Sequence, residues 1–353
     1  MSIFGLSRFP IFLACIWVCT VFVTHSFAQD RESQTSRFQY SRPIMGTELK
    51  VILYAHDESQ AAYAINAILD ELDERARPIN NYNPNSEVSQ LANLELGKRH
   101  TLSAELFEVL TEAKRWHNLT DNAFDVTAGA TMELWSKARK RQSLPSNEDI
   151  GEAQKNSGWS KLSLNSDGTS GNTITINAEK IQVNVSGIAT GYLIDRAMTV
   201  LKQHGIECAL IDIGGDIIVS NPPPESDGWK VDVAGLRESD PVQSRMVLKN
   251  QAVTTSGDLN QFLEIDGIRY SHIIDPKTGR PVPRRVSVTV VAQKAIDADA
   301  AATAISVLGA KGAKPLLANM PVDNVVILEQ EFPKSNENNP EVQRFEWSKA
   351  LHQ

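Results

Sequence analysis

Two oxygen-bearing side chains near the C-terminal end of the sequence have the spacing of metal ligands. Asp299 and Thr303 lie four positions apart in an alanine-rich segment, residues 295–308, which Gly309 closes. On a helix this spacing puts the carboxylate and the hydroxyl on one face, and oxygen donors suit Mg²⁺. The pair also fits a structural role, with an aspartate near a helix N-terminus and a threonine bonded to a backbone carbonyl.

A second concentration of reactive groups lies in residues 272–280. The run His-Ile-Ile-Asp-Pro-Lys-Thr-Gly-Arg places an imidazole, a carboxylate and two cations around a Pro/Gly turn, between apolar segments typical of strands. Such turns present side chains to functional sites. A single histidine is more often structural, so the interpretation of His272 depends on which groups the fold brings to it.

Two glycine-containing segments could complete such a site. Residues 184–192 (Asn-Val-Ser-Gly-Ile-Ala-Thr-Gly-Tyr) open an amphipathic segment whose first N–H groups could receive an anion. Residues 212–216 (Asp-Ile-Gly-Gly-Asp) indicate a tight acidic turn between two apolar strands. The turn is not a dinucleotide fingerprint, because G-x-G-x-x-G is absent.

In this order and spacing, the motifs resemble those of the ApbE-type FAD:protein FMN transferases. The resemblance covers nearly the whole chain after its N-terminal segment and rests on eight blocks in the family order. Each block is weak alone, and their shared order carries the resemblance. The blocks are Met45-Gly46-Thr47, residues 82–89, residues 124–127, residues 184–192, Gly214-Gly215-Asp216, residues 255–258, residues 272–281, and Asp299 with Thr303.

The resemblance implies a role for each matching residue. Asp299 and Thr303 would be side-chain ligands of Mg²⁺, and Gly187 would add a backbone carbonyl. His272 would be the base that takes the proton of the acceptor hydroxyl, since a neutral imidazole suits that task near pH 7. Asp258 and Asp275 are secondary candidates for holding the turn or orienting His272. The FAD site would be lined by Met45, Tyr82, Ala123, Phe124, Asp125, Asn184, Thr190 and Ile273.

The implied reaction moves the FMN half of FAD onto a threonine or serine hydroxyl of an exported or membrane-associated acceptor flavoprotein, releasing AMP. Phosphoryl chemistry of this kind needs a divalent cation, a positioned base and anion-binding backbone. Two alternatives stay open. One is an Mg²⁺-dependent FAD pyrophosphatase, in which water replaces the protein hydroxyl. The other is a non-catalytic periplasmic FAD-binding protein.

Two positions depart from the family pattern. The family usually carries Asp where this chain has Asn184, and often Lys where it has Thr190. Losing both members of such a pair keeps the local charge balanced but removes charge-assisted contacts to a nucleotide. The property most affected would be FAD affinity.

Composition and pattern predict an ordinary globular α+β protein. The chain has 353 residues, 41% hydrophobic and 22% charged, with a net charge of −8. Without a basic stripe we expect no nucleic-acid partner. Strands and helices mix without a regular βαβ repeat, so we expect one two-lobed catalytic unit with mixed strands and helices rather than a doubly wound parallel sheet.

Residues 1–28 have the pattern of a secretory signal peptide, which leaves residues 29–353 as the transferase domain. Arg8 precedes an apolar run over residues 10–23, and Ser26-Phe27-Ala28 offers a cleavage site. We therefore expect a periplasmic protein; an uncleaved segment would instead associate it with the inner membrane. Cleavage would leave Cys208 as the one remaining cysteine, so no disulfide is expected within the processed chain.

Periodicity predicts the elements that must position these residues. Residues 48–55 alternate like a strand, and apolar positions from Ala61 to Leu72 predict a helix ended by Pro78. Ser103 can cap a second helix. A third helix follows Gly191 and ends by Gly205, and strands are predicted at residues 209–218, 230–233, 245–248, 262–265 and 286–291.

Overall fold

The structure is a computed structural model that describes residues 35–44, 46–166, 171–233, 235–237, 239–259, 261–332 and 340–351. Residues 35–353 form one compact unit. The predicted signal peptide, residues 1–28, and Met45 lie outside the described residues, so both remain predictions.

The described residues form seven α-helices and seventeen strands. The helices are α1 (Glu58–Ile79), α2 (Glu87–Gln90), α3 (Ala104–Leu119), α4 (Gly129–Arg141), α5 (Asn147–Lys155), α6 (Ser186–Gln203) and α7 (Ala295–Ala313). The strands are β1 (Ser36–Ile44), β2 (Thr47–Ala55), β3 (Arg99–Thr101), β4 (Leu162–Ser166), β5 (Asn172–Ile176), β6 (Ala209–Ile213), β7 (Asp216–Val219), β8 (Trp229–Val233), β9 (Ser244–Leu248), β10 (Gln251–Gly257), β11 (Phe262–Ile265), β12 (Ile268–Ser271), β13 (Ile274–Asp275), β14 (Arg280–Pro281), β15 (Arg284–Ala292), β16 (Asn324–Glu331) and β17 (Gln343–Ser348).

The core of the fold is an eight-stranded sheet in the order β1-β2-β6-β7-β10-β15-β16-β17. Every neighbouring pair in it is antiparallel. Four smaller sheets of two or three strands lie outside it in the described residues. The predicted α+β class is therefore confirmed, and the sheet is not of the doubly wound parallel kind.

The predicted helices begin and end for the expected reasons. Ser103 accepts a hydrogen bond from the backbone N–H of Leu106 and so caps α3. In α1 the apolar stripe faces the core, and the helix ends at Ile79, one residue beyond Pro78. The tight turn at residues 212–216 joins β6 to β7, and both of its glycines have a positive φ, 64° at Gly214 and 98° at Gly215.

Helix α7 is buried along almost its whole length against α6 and the sheet. Its small side chains allow this, since at the crossing a Cβ on Gly191 would lie 2.4 Å from the carbonyl oxygen of Ala295. Asp195 of α6 accepts hydrogen bonds from the N–H groups of Ala295 (2.8 Å) and Ile296 (3.0 Å), which caps the first turn. The first turn of α7 is thus tied to α6.

The other end of α7 bends at Gly309, which has φ 65°. Arg284 of β15 donates to the carbonyls of Ser306 (2.9 Å) and Val307 (2.8 Å), which the bend leaves without helical partners. The predicted closure at Gly309 is confirmed as a break in the helical backbone, although α7 continues after it and ends at Ala313.

Some elements were missed because their signals are not periodic. Residues 137–141 are a basic stretch for which no helix was predicted, and Lys137, Lys140 and Arg141 are exposed. The stretch is nevertheless the end of helix α4, which buries Trp135 and Ala138 in a separate apolar cluster with Leu263 of β11. Strands β1, β10 and β16 were not predicted.

None of the helices in the described part of the chain has the length and apolarity needed to cross a membrane.

Cys208 is half-buried and its thiol donates to the carbonyl of Pro222. Burial raises the pKa of this thiol to about 11, so the inert role expected for it agrees with the structure.

The α6–α7 crossing gives a direct test of the packing. Gly191→Ala should lower the free energy of unfolding by about 1–3 kcal/mol, because the added methyl has no room against the backbone of α7. The control is Gly151→Ala in α5, where nothing lies within 4 Å of the added Cβ, and a gain of up to about 1 kcal/mol is expected. Chemical denaturation of the wild type and the two variants measures both changes in the free energy of unfolding. Equal stability of the two variants would contradict the close contact between α6 and α7 at Gly191.

Candidate active site

One cavity of about 300 Å³ collects most of the chemistry-bearing residues. It lies where β10 ends, between the start of α6, the β6–β7 turn, the middle of α7 and the segment around His272. Its walls are formed by Ala123, Phe124, Asp125, Val126, Ala128, Met132, Asn184, Ser186, Gly187, Gly214, Asp216, Thr254, Thr255, Ser256, Gly257, His272, Ile273, Ile274, Pro276, Asp299, Thr303 and Val307.

Asp299 and Thr303 share the face of α7 that borders this cavity, as their spacing predicts. Asp299 is 5% exposed, and its Oδ2 accepts a hydrogen bond of 3.1 Å from the N–H of Gly191. Thr303 lies against the start of α6, since a Cβ on Gly187 would lie 3.0 Å from the threonine Oγ1. The two helices therefore bring Gly187, Asp299 and Thr303 together.

A second carboxylate, Asp216, faces the same cavity and was not assigned a role from the sequence. Its position follows from the β6–β7 turn, in which Asp212 Oδ1 accepts a hydrogen bond of 2.8 Å from the N–H of Gly215. A side chain at Gly214 would lie 2.7 Å from the Oγ1 of Thr47, so the turn admits only glycine there. The signal that could have identified Asp216 is this forced turn, which directs the first residue of β7 at α7.

Burial and the charge of Asp216 raise the free-energy cost of ionising Asp299, and burial and the charge of Asp212 raise that of Asp216. Burial raises the pKa of Asp299 well above its ordinary value, and the charge of Asp216 raises it further, against the opposing hydrogen bond from Gly191. Burial likewise raises the pKa of Asp216, against an opposing contact with the Thr254 hydroxyl. Among the described residues no cationic side chain pairs with either carboxylate.

His272 is held as a neutral imidazole with one free nitrogen. Its Nδ1 lies 3.1 Å from the carbonyl oxygen of Gln261. Because a carbonyl can only accept, Nδ1 carries the proton and Nε2 keeps a lone pair. Burial lowers the pKa of His272, and the nearby charge of Arg139 on α4 lowers it further. This tautomer and charge state are those of a general base.

The segment before α4 supplies three further walls of the cavity. The backbone N–H of Phe124 donates to Thr120 Oγ1 (3.1 Å), and Asp125 Oδ1 accepts from both the N–H and the hydroxyl of Thr127. Phe124 is only 3% exposed and belongs to the core, so it offers little stacking face. Together with Ala123, these residues form a fixed edge at which backbone groups meet the cavity.

Asn184 also lines the cavity, and its Oδ1 accepts from the N–H and the hydroxyl of Ser186, which opens α6. Ile273, the eighth predicted FAD contact, is buried beside His272 in the same wall. Two predicted FAD contacts are not brought there. Tyr82 is 77% exposed outside the cavity, and Thr190 lies half-buried on α6 without lining it.

The two secondary aspartates hold turns. Asp258 is buried and pairs with Arg269 at 3.2 Å. Asp275 accepts hydrogen bonds from the N–H of Lys277 (2.9 Å) and the hydroxyl of Thr278 (3.2 Å), which shapes the turn after β13. Neither contacts the His272 ring directly in the described hydrogen bonds.

Comparison with known proteins agrees with this fold. The model of the ApbE family matches residues 45–326. An FAD:protein FMN transferase from Vibrio cholerae is 30% identical over 290 residues, which cover 79% of this chain and 83% of the relative. The FAD:protein FMN transferase of Chlamydia muridarum is 30% identical over 258 residues, covering 72% of this chain and 78% of the relative.

Solved structures give the same result. The crystal structure of the ApbE protein from Thermotoga maritima superposes with a TM-score of 0.76 at 26% identity, covering 90% of this chain and 98% of that one. The flavin transferase ApbE from Vibrio cholerae superposes with a TM-score of 0.75 at 26% identity, covering 90% and 99% of the two chains. The family model, the relatives and the superposed folds agree, and this chain belongs to the ApbE family.

Proposed function

We propose that this protein transfers the FMN moiety of FAD to a threonine or serine hydroxyl of an acceptor protein, with Mg²⁺ bound and with release of AMP. That the chain is an FAD:protein FMN transferase follows from its family and from its curated relatives. The observation that supports the finer statement is one cavity lined by the buried carboxylate Asp299, the half-buried carboxylate Asp216 and the neutral imidazole of His272.

The donors at this cavity fit a hard divalent cation. Two carboxylates, Asp216 and Asp299, face each other at a cost that a cation would relieve, and the Thr303 hydroxyl and Gly187 carbonyl are further oxygen donors. The described residues hold no group of three or more His, Cys, Asp or Glu side chains arranged for a metal. Mg²⁺ usually keeps positions for water and substrate phosphates and is bound through one or two carboxylates. When bound, it would neutralise charge on the FAD pyrophosphate.

The protein's own residues then have separable tasks. The wall formed by Ala123, Asp125 and Asn184 presents backbone and polar groups to the nucleotide. His272 Nε2 accepts the proton of the acceptor hydroxyl, and the hydrogen bond from Nδ1 to Gln261 keeps the ring in that tautomer.

The two alternatives differ in their products. A pyrophosphatase with the same cavity would release free FMN, because water would take the place of the acceptor. A non-catalytic FAD-binding protein would leave FAD intact, and Asn184 and Thr190, which depart from the family pattern, are its support. The paired carboxylates and the neutral imidazole favour catalysis over binding alone.

We also propose that the protein acts after export, in the periplasm, on exported or membrane-associated acceptors. The apolar run and cleavage pattern of residues 1–28 support this placement. N-terminal sequencing of the protein from a periplasmic fraction would test it, and a chain that retains these residues in the membrane fraction would favour anchoring.

Mass spectrometry tests the proposed reaction directly. After incubation with FAD, Mg²⁺ and exported flavoprotein domains, the acceptor should gain the mass of one FMN on a threonine or serine, with AMP in equal amount. Free FMN with an unmodified acceptor would indicate the pyrophosphatase, and unchanged FAD would indicate the binding protein.

The proposed metal site predicts that changing one carboxylate to its amide raises the Mg²⁺ concentration needed for transfer. Asp299→Asn keeps the shape of the side chain but removes its charge, so the Mg²⁺ concentration giving half-maximal transfer should rise at least about tenfold. The control is Asp297→Asn on the same helix. Asp297 bonds Trp116 Nε1 and pairs with Arg115, away from the cavity. That variant should lose stability instead, with the Mg²⁺ dependence of the remaining folded protein unchanged.

Removal of the proposed base should slow chemistry more than it weakens binding. His272→Ala should lower the transfer rate by about 10² to 10⁴, the usual contribution of a positioned base. The FAD dissociation constant, measured by flavin fluorescence, should change little. A rate loss that only tracks weaker FAD binding would return His272 to a structural role.

The position of Arg139 predicts a shift in the pH profile. The pKa of His272 is lowered by burial and then by Arg139, so the base stays neutral somewhat below pH 6.5 and activity falls only as pH drops through that lowered pKa. Arg139→Gln removes one of the two causes and should move the acid limb of kcat to higher pH. Both kcat profiles are measured against pH at saturating Mg²⁺. If Arg139→Gln left the acid limb at the same pH, a group other than His272 would control that limb.

A further inference from the structure

A second cavity, of about 240 Å³, meets the first at His272. It shares only Thr255, Gly257 and His272 with the first cavity. Its other walls are Gly235, Leu236, Leu259, Gln261, Val286 and Ser287. The proposed base therefore stands between two spaces, only one of which contains Asp216 and Asp299.

The chemistry of the proposed transfer needs two such spaces. The acceptor oxygen forms a bond to the FMN phosphorus while the bond from that phosphorus to the bridging oxygen breaks, and AMP leaves with the bonding electrons. The proton of the acceptor hydroxyl passes to His272 Nε2. Attacking and leaving oxygens lie roughly in line through phosphorus, so the acceptor must approach from the side away from the leaving nucleotide.

The rim of the second cavity carries unbalanced positive charge. Arg285 lies two positions before the lining residue Ser287 on β15 and so shares its face of the sheet, and the guanidinium of Arg285 makes no hydrogen bond, ion pair or ring contact with any residue in the described ranges. The charged groups that act on it are two arginines, Arg237 and Arg269, and two carboxylates, Asp258 and Glu264. Asp258 is already paired with Arg269.

Arg237 is fixed on the same side of the cavity. It follows the lining residue Leu236 and donates to Gln330 Oε1 at 3.1 Å, and Gln330 is the β16 partner of Arg285 across the sheet. The guanidinium of Arg285 is partly buried without a counterion, a state that an incoming carboxylate would relieve. In a chain with a net charge of −8, such a cluster is a local exception.

We propose that the second cavity receives the hydroxyl-bearing segment of the acceptor protein, and that Arg285 binds an acidic side chain of that segment. The proposal rests on the proposed function, because it assigns the second substrate of the same reaction. Arg285 is thus a specificity residue, which positions the acceptor and does not touch the reacting phosphorus.

A double-mutant cycle between enzyme and acceptor tests this. The probes are the acceptor found by mass spectrometry and a set of its variants. In each variant one acidic residue near the modified hydroxyl is changed to its amide. With wild-type enzyme, one such change should raise the KM for acceptor about tenfold to a hundredfold, and Arg285→Gln should do the same with the unchanged acceptor. Combined, the two changes should cost no more than either alone.

Three controls separate the outcomes. Arg285→Lys should recover part of the loss, and Arg37→Gln, on β1 at the far edge of the sheet, should leave the KM for acceptor unchanged. Arg285→Gln should keep the wild-type FAD dissociation constant and the kcat at saturating acceptor, which also shows that the variant folds.

The cavity itself is tested by filling it. Leu259→Trp should raise the KM for acceptor without changing FAD affinity. Additive effects in the cycle, or an unchanged KM in both Arg285→Gln and Leu259→Trp, would overturn the inference while leaving flavin transfer intact. If the wild-type enzyme modifies no acceptor at all, the proposed transfer itself is wrong. That outcome is distinct from a failure of the inference about Arg285, in which the wild-type enzyme still modifies the acceptor.

Discussion

The constraint on which the site depends is the placing of two carboxylates, the buried Asp299 and the half-buried Asp216, in the lining of one cavity. A buried carboxylate without a counterion costs several kcal/mol in most proteins, and here the charge of Asp216 raises that cost for Asp299. The same arrangement brings the oxygen atoms of Asp216, Asp299 and Thr303 into the lining of one cavity. His272 and Asp125 line that cavity too, so the proposed base and the polar wall lie beside the carboxylates.

Helix α7 is what makes the arrangement rigid. Its alanines let it lie against α6 so closely that Gly191 can donate to Asp299, and its ends are held by Asp195 and Arg284. None of these holding residues needs to touch a substrate. They fix the rotation of the helix about its own axis, and a rotation by one residue would turn Asp299 about 100° away from the cavity.

Local patterns in the sequence predicted this region well, and long-range ones did not. The four-residue spacing of Asp299 and Thr303 and the stop at Gly309 are properties of one helix, so they could be predicted. The contribution of Asp216 depends on the antiparallel pairing of β7 with β10, and that of Arg139 on the docking of α4, which no local period encodes. The position of Tyr82 could not be predicted for the same reason, because an aromatic in a loop gives no sign of whether it faces the cavity or solvent, and its contact with FAD stays a prediction.

The burial of α7 also has a consequence for when the site can exist. Asp216 enters from a central strand and Asp299 from a helix that is enclosed only when α6 and the sheet are in place. A partly folded chain has therefore no pair of donors to offer, and a cation that binds the pair stabilises only the completed fold. Occupancy of the proposed Mg²⁺ site would therefore report finished folding, and a transfer that needs the metal would be withheld from any chain that has not completed its fold.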